Sequence, residues 1–119
     1  MRMTESTEML KAFAHPTRLM ILKELLAGVK CVNDIEDLVP AAQANISQHL
    51  AVLRHAGLVD FAQDGALRCY YLSRPQAVRS VLRLLELDEP IVTKTKEQIA
   101  ASKRRKQNRE AKQCRKQTG

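Results

Sequence analysis

Apolar positions fall along this chain in short blocks, punctuated by proline, glycine and one Asp-Gly pair. The first block opens at Thr4 or Ser6, where polar starters precede Met9, Leu10 and Phe13 at helical spacing, and it predicts a helix ending at Phe13. His15-Pro16 breaks that helix. Pro16 suits the first position of the next one, where its missing N–H would be unbonded anyway. Leu19, Ile21, Leu22, Leu25 and Leu26 then surround much of the second helix, which makes it a core element. Gly28 ends it, and Val29–Cys31 has the length of one small strand. A third helix spans Asn33–Leu38 and is closed by Pro40, because the residue before a proline is pushed away from helical geometry. After a three-residue linker comes Gln43–His55, with Ile46, Leu50 and Leu53 on one stripe and Gln43, Asn45, Ser47, Gln48 and Arg54 off it. Gly57 is the stop signal for that helix.

Two alternating runs follow, Leu58–Gln63 and Leu67–Leu72, on either side of Asp64-Gly65. That dipeptide predicts a type I′ hairpin, since both central residues of such a turn need positive φ. From Gln76 to Leu87, Val78, Val81, Leu82 and Leu85 recur at i, i+3, i+4 and i+7, the spacing of an amphipathic helix. No apolar helix follows to cover this stripe. A second copy of the chain, with Leu10 and Phe13 of the first helix joining the contact, is the economical cover. The expected fold is therefore mainly α with a small β-hairpin wing (α+β), a winged helix-turn-helix used as a dimer. Its interface candidates are Leu10, Phe13, Val78, Val81, Leu82 and Leu85.

The 119 residues carry a net charge of +7, but the excess is local. Residues 1–93 hold ten Lys/Arg against eleven Asp/Glu, whereas residues 94–119 hold ten against two. This divides the chain into a DNA-binding and dimerisation domain, 1–88, and a basic tail, 89–119. The tail has good helix formers and almost no apolar stripe beyond Ile99, so disorder or a frayed helix is expected. Its charge suits a polyanion. Three cysteines without paired spacing, and no secretory segment ahead of them, do not make a disulfide framework, which points to a reducing cytoplasmic setting. The longest early apolar stretch is broken by Lys23 and Glu24 and is too short to span a bilayer, so no membrane partner is expected.

The stretches LKAFAHPTRLMILKELL (10–26), VNDIEDLV (32–39), ANISQHLAVLRHAGLV (44–59) and DGALRCYYLS (64–73) closely resemble the ArsR/SmtB family of metal- and stress-responsive repressors. The likeness runs from residue 8 to 87. It implies a homodimer that docks Gln43–Arg54 in the major groove of a double-stranded DNA operator and is released by an inducer. Amide side chains can pair bidentately with adenine edges, which makes Gln43, Asn45 and Gln48 base-reading candidates. Ser47 and Arg54 suit phosphate contacts, which set register without reading sequence. His49 stands where the family commonly has histidine, although a lone helical histidine is more often structural. His15 suits the start of the second helix, and His55 its own helix's last turn. Relatives carry basic residues beside the wing turn, whereas this chain has Gln63 and Ala66 there, which leaves Arg68 or the tail to supply the missing charge.

No cofactor is required by this reading, but an inducer is, and arsenite or another soft metal leads the readings. The family's thiolate site uses Cys-x-Cys, and here Asn33 replaces the second cysteine after Cys31, which weakens a metal site that wants two or three thiolates. The family's other site needs histidine on the last helix, and residues 76–87 contain none. If the first strand pairs with Leu67–Leu72, as the resemblance implies, Cys31 and Cys69 become neighbours, with Cys114 as a possible third ligand. Facing strand residues have Cα atoms about 4.5–5.5 Å apart, within disulfide range. Arsenite binding, a redox pair, two buried small hydrophobes and a small organic inducer all stay open.

Enzyme chemistry finds no support: no phosphate loop, nucleophile elbow or paired metal motif is present. An aromatic share of 3% also argues against stacking platforms for single strands or RNA. Two other classes remain, a winged helix used for protein interaction and a sequence-tolerant DNA-coating protein.

Overall fold

The computed structural model describes residues 2–118, with side chains up to residue 111. In chain order the elements are α1 (Met3–Phe13), α2 (Pro16–Leu26), β1 (Lys30–Cys31), α3 (Val32–Leu38), α4 (Gln43–His55), β2 (Val59–Asp64), β3 (Leu67–Leu72), α5 (Pro75–Leu85) and α6 (Lys96–Thr118). Residues up to Leu87 pack as one unit and those from Asp88 onward as another.

In the first unit, local chemistry sets the helix ends. His15 caps α2, its Nδ1 accepting from the Thr17 N–H at 3.1 Å, with Pro16 at the first helical position. At the end of α4, Gly57 takes φ +79°. Its N–H bonds the Arg54 carbonyl and the Leu58 N–H bonds the Leu53 carbonyl, both at 3.0 Å. This is a Schellman stop, and the buried Leu53 and Leu58 supply its usual apolar contact. Hence α4 has the sequence-predicted bounds, while α1, α3 and α5 each start one or more residues earlier than expected.

The three strands form an antiparallel sheet in the order β1-β3-β2. The hairpin corrects one expectation. Asp64 pairs with Leu67 at the end of the ladder, so the central residues are Gly65 and Ala66, not Asp64 and Gly65. Only Gly65, at φ +64°, has positive φ here, as a type II′ turn requires at its first central position. The residues flanking the turn are therefore Asp64 and Leu67, in place of Gln63 and Ala66.

The core joins α1 through Phe13, α2 through Ile21, Leu22 and Leu25, α3 through Ile35, α4 through Ile46, Leu50 and Leu53, the wing through Val59 and Tyr70, and α5 through Val78. All are buried. Two interface candidates, Phe13 and Val78, belong to this core. Phe13 and Val78 face the chain's own interior, because the apolar stripes of α1 and α5 are wide enough for one edge to pack inward on α2.

The second unit is α6 and the segment leading to it. Thr95 and Gln98 form a reciprocal capping box at its start, Thr95 N–H to Gln98 Oε1 at 2.9 Å and Gln98 N–H to Thr95 Oγ1 at 3.2 Å. That cap and the run of helix formers give helix where an apolar stripe is missing.

Candidate nucleic-acid interface

The polar residues of α4 surround a buried anchor. Ile46, Leu50 and Leu53, at i, i+4 and i+7, are at most 1% exposed and fasten the helix to the core. Gln43, Asn45, Ser47 and Gln48 are exposed around the rest of its circumference. They spread over a wide arc of a rigidly held helix, Gln48 pointing away from the anchor and Gln43 and Ser47 toward the groove beside the wing.

His49 does not join them. It is half-buried on the α2 side, its ring 4.3 Å from that of His15 (centroid to centroid) and tilted 41° to it. Its Nδ1 lies 3.4 Å from an Arg18 guanidinium nitrogen. A guanidinium can only donate, so this nitrogen serves as acceptor and the imidazole is held neutral. Burial, then the charges of His15 and Arg18, push the His49 pKa below the ordinary 6.5. Arg18 also donates to the Ala12 carbonyl at 2.7 Å and the Lys11 carbonyl at 3.1 Å, tying α1 and α2 to the recognition helix. The sequence contains no signal for this junction beyond the two histidines.

At the far end of α4, Arg54 is engaged by the wing. Its Nε donates to Asp60 Oδ1 at 3.1 Å, and its guanidinium carbon lies 4.4 Å from the Phe61 ring centre. Arg68 approaches the same ring at 4.6 Å. Both distances fall within cation–π range. The Arg54–Asp60 pair is about half exposed and contributes little to stability, so it orients Arg54 more than it neutralises it. Among the described residues Arg68 has no carboxylate partner. A groove of about 320 Å³ is lined by Gln43, Ser47 and Arg54 of α4, by Phe61 and Arg68 of the wing, and by Asn33 and Glu36 of α3. Sequence reasoning missed Phe61 and Asp60, because a single aromatic in an alternating strand looks like any half-buried residue.

The cysteine expectation rests on strand pairing, and that pairing is present: Cys31 faces Cys69 across β1 and β3. Their sulfurs are 2.7 Å apart, and both thiols are free and partly exposed. The hydrogen bond with Cys31, followed by partial burial, pushes the Cys69 pKa up to about 11. Cys114 lies outside the described side chains. Among the described residues no group of three or more His, Cys, Asp or Glu is placed to hold a metal ion. The three-thiolate site expected from Cys31, Cys69 and Cys114 extends beyond the described side chains.

Of the remaining interface candidates, Leu10 and Leu85 are exposed at 61% and 58%, while Val81 and Leu82 are partly buried against the core. Leu84 is exposed as well, although its spacing does not single it out in the sequence. No helix among the described residues is long and apolar enough to cross a membrane.

A mostly helical domain with a three-stranded wing and exposed polar residues on the second helix of a helix-turn-helix defines a winged helix-turn-helix protein. Residues 15–60 match the family described as bacterial regulatory protein, arsR family. An HTH-type transcriptional regulator of Methanocaldococcus jannaschii is 39% identical over 83 residues, covering 69% of this chain and 92% of the relative. The biofilm growth-associated repressor of Agrobacterium fabrum is 38% identical over 80 residues, covering 67% and 68%. The crystal structure of the transcriptional repressor BigR from Xylella fastidiosa superposes with a TM-score of 0.64 at 30% identity, covering 74% of this chain and 90% of that one. The chain belongs to the arsR family of bacterial regulatory proteins and is a transcriptional regulator, not an enzyme.

Proposed function

We propose that the protein is a homodimeric, sequence-specific transcriptional repressor that occludes a promoter and leaves its operator when a thiol-directed inducer acts on it. The observation that carries this reading is the exposure of Gln43, Asn45, Ser47 and Gln48 on a helix rooted by the buried Ile46, Leu50 and Leu53. Gln43, Asn45 and Gln48 read base edges. Ser47, Arg54 and Arg68 hold phosphates, with Arg54 and Arg68 aligned by their shared contact with Phe61. His49 supports the reader from behind.

Dimerisation uses Leu10 and Leu85 as its exposed anchors, with Val81 and Leu82 at the edge of the contact. A two-fold dimer then presents two copies of α4 to half-sites about one helical turn apart. The inducer acts at Cys31 and Cys69. Two thiols in contact support a dithiol effector, and binding by three thiolates would additionally need Cys114.

The test is fluorescence anisotropy on duplex DNA from the protein's own upstream region, against a panel of single-base variants and a scrambled duplex, with sedimentation run alongside. The expected result is a dimer whose preference for the upstream duplex survives high salt. Equal binding to every duplex would favour a coating protein, and no binding would favour a protein-interaction module; either overturns the reading.

A further inference from the structure

Away from the proposed DNA-reading face, two reactive side chains among the described residues touch, those of Cys31 and Cys69. We infer that these two thiols are a peroxide-responsive pair that closes to an intrachain disulfide and thereby weakens operator binding, an inference that rests on the repressor reading above.

Three features support this. The residues are direct partners in the β1–β3 ladder, so their Cα atoms already stand within the range a disulfide tolerates. The sulfurs touch at 2.7 Å with both thiols free, and both residues are partly open to solvent, so a small oxidant can reach them. The third feature is where the link would fall. Between Cys31 and Cys69, 38 positions apart, lie α3, α4 and β2. A bond at this point encloses the entire helix-turn-helix and the outer wing strand in one covalent loop.

The chemistry balances with a peroxide as the two-electron oxidant. The sulfur of one cysteine, as thiolate, attacks a peroxide oxygen, the O–O bond breaks, and a sulfenic acid forms as water or an alcohol leaves. The second thiol then attacks the sulfenic sulfur, the S–S bond forms, and water departs with the last thiol proton. Cys69 holds its proton tightly, which favours Cys31 as the attacking sulfur and Cys69 as the resolving one.

Closure reaches the DNA face through α3. Cys31 is the N-cap residue of that helix, its backbone N–H held by Asp34 Oδ2 at 3.3 Å. A disulfide imposes its own dihedral on both side chains, so Cys31 must re-aim and the first turn of α3 must follow. Since α4 packs on α3, and Arg54 and Arg68 bridge α4 to the wing through Phe61, the recognition helix loses freedom to settle into the groove.

The experiment uses the full chain carrying Cys114→Ser, so that only the two thiols in question remain. Protein is treated with hydrogen peroxide or left reduced, then divided between peptide mapping by mass spectrometry, thermal melting, and anisotropy on the upstream duplex. The expected result is a peptide linking Cys31 to Cys69 within one chain, a higher melting temperature, and operator affinity reduced about fivefold or more, all reversed by dithiothreitol. Cys31→Ser and Cys69→Ser should each abolish the affinity change while binding the operator as reduced protein does. Absence of the linked peptide overturns the inference. So does a linked protein that binds the operator unchanged, or a peroxide response that persists in both serine variants. If the reduced protein binds no duplex, the repressor reading fails separately, while the peptide map and the melt still decide whether the pair closes.

Discussion

Helices α4 and α6 carry the polar and basic side chains that the proposed DNA contact calls for, yet they are built by opposite means. In α4 a stripe of three buried residues fixes the orientation of four exposed ones, so each polar residue has a defined direction relative to the wing. Among the described side chains of α6 there is no buried stripe: Ile99 is 45% exposed, and the helix starts on its own capping box. Position lets a side chain discriminate between bases, whereas charge without position gives affinity that any duplex can satisfy. The first helix should therefore supply specificity and the second a salt-sensitive background.

The largest way to break this contrast is to remove the anchor of α4. Leu50→Ala leaves a cavity beneath the helix and should destabilise the first unit by about 2–5 kcal/mol. Denaturant melts measure that loss, and operator discrimination should fall with it even though no DNA-facing residue has changed. An intact preference in a measurably destabilised protein would show that α4 does not depend on its buried stripe for orientation.

Removing residues 94–119 tests the other half. For every phosphate the tail neutralises, its removal should lower the slope of log affinity against log salt by about 0.9. The truncated protein should bind more weakly at low salt, keep its ranking of operator variants, and show a slope shallower by about two or more, the value for two or three such phosphates. An unchanged slope would make the segment a bystander.

A narrower cut sharpens the reader itself. Gln48→Ala should relax discrimination at one operator position by about 1–3 kcal/mol and leave the salt slope alone. Arg68→Ala should do the reverse, lowering the slope by about one with no change in base preference. If the two variants exchanged these behaviours, the division between base reading and phosphate contact would be misassigned.

Much of α4 was legible in the sequence because its signals are local: a 3.6-residue stripe, Pro40 before it and Gly57 after it. The wing turn was not, and the reason is geometric. A turn centred on Asp64-Gly65 and one centred on Gly65-Ala66 differ by a two-residue slide of the ladder. Side chains alternate with period two, so both registers bury the same face and the hydrophobic pattern cannot choose between them. Phe13 and Val78 show a different limit. Their spacing reveals an apolar face but not how that face is shared between the chain's own core and a partner. The Phe61 platform and the Arg18 junction join side chains far apart in the sequence with no periodic signature, and only the folded chain brings them together.

The smallest expected effect concerns that junction, and its sign follows from the protons. The His49 pKa in the folded chain lies below 6.5, the value it regains on unfolding. Above pH 6.5 His49 is neutral in both states and its contacts with Arg18 and His15 are undisturbed. As pH falls through 6.5 the unfolded chain takes up the proton first, so stability declines, and it continues to decline until the folded-state value is passed. The site is only partly buried, and solvent screening keeps the change small. Melting temperature should therefore drop on acidification from about pH 7.5 to about pH 5.5 by more in the wild type than in His49→Gln, which retains polarity but cannot titrate. Operator affinity should follow the same order, because protonated His49 faces Arg18 and His15 and pushes α4 away from α2, the helix its buried stripe packs against. Equal pH responses in the two proteins would mean that the helix is held by its apolar anchor alone and that the histidine pair merely fills space.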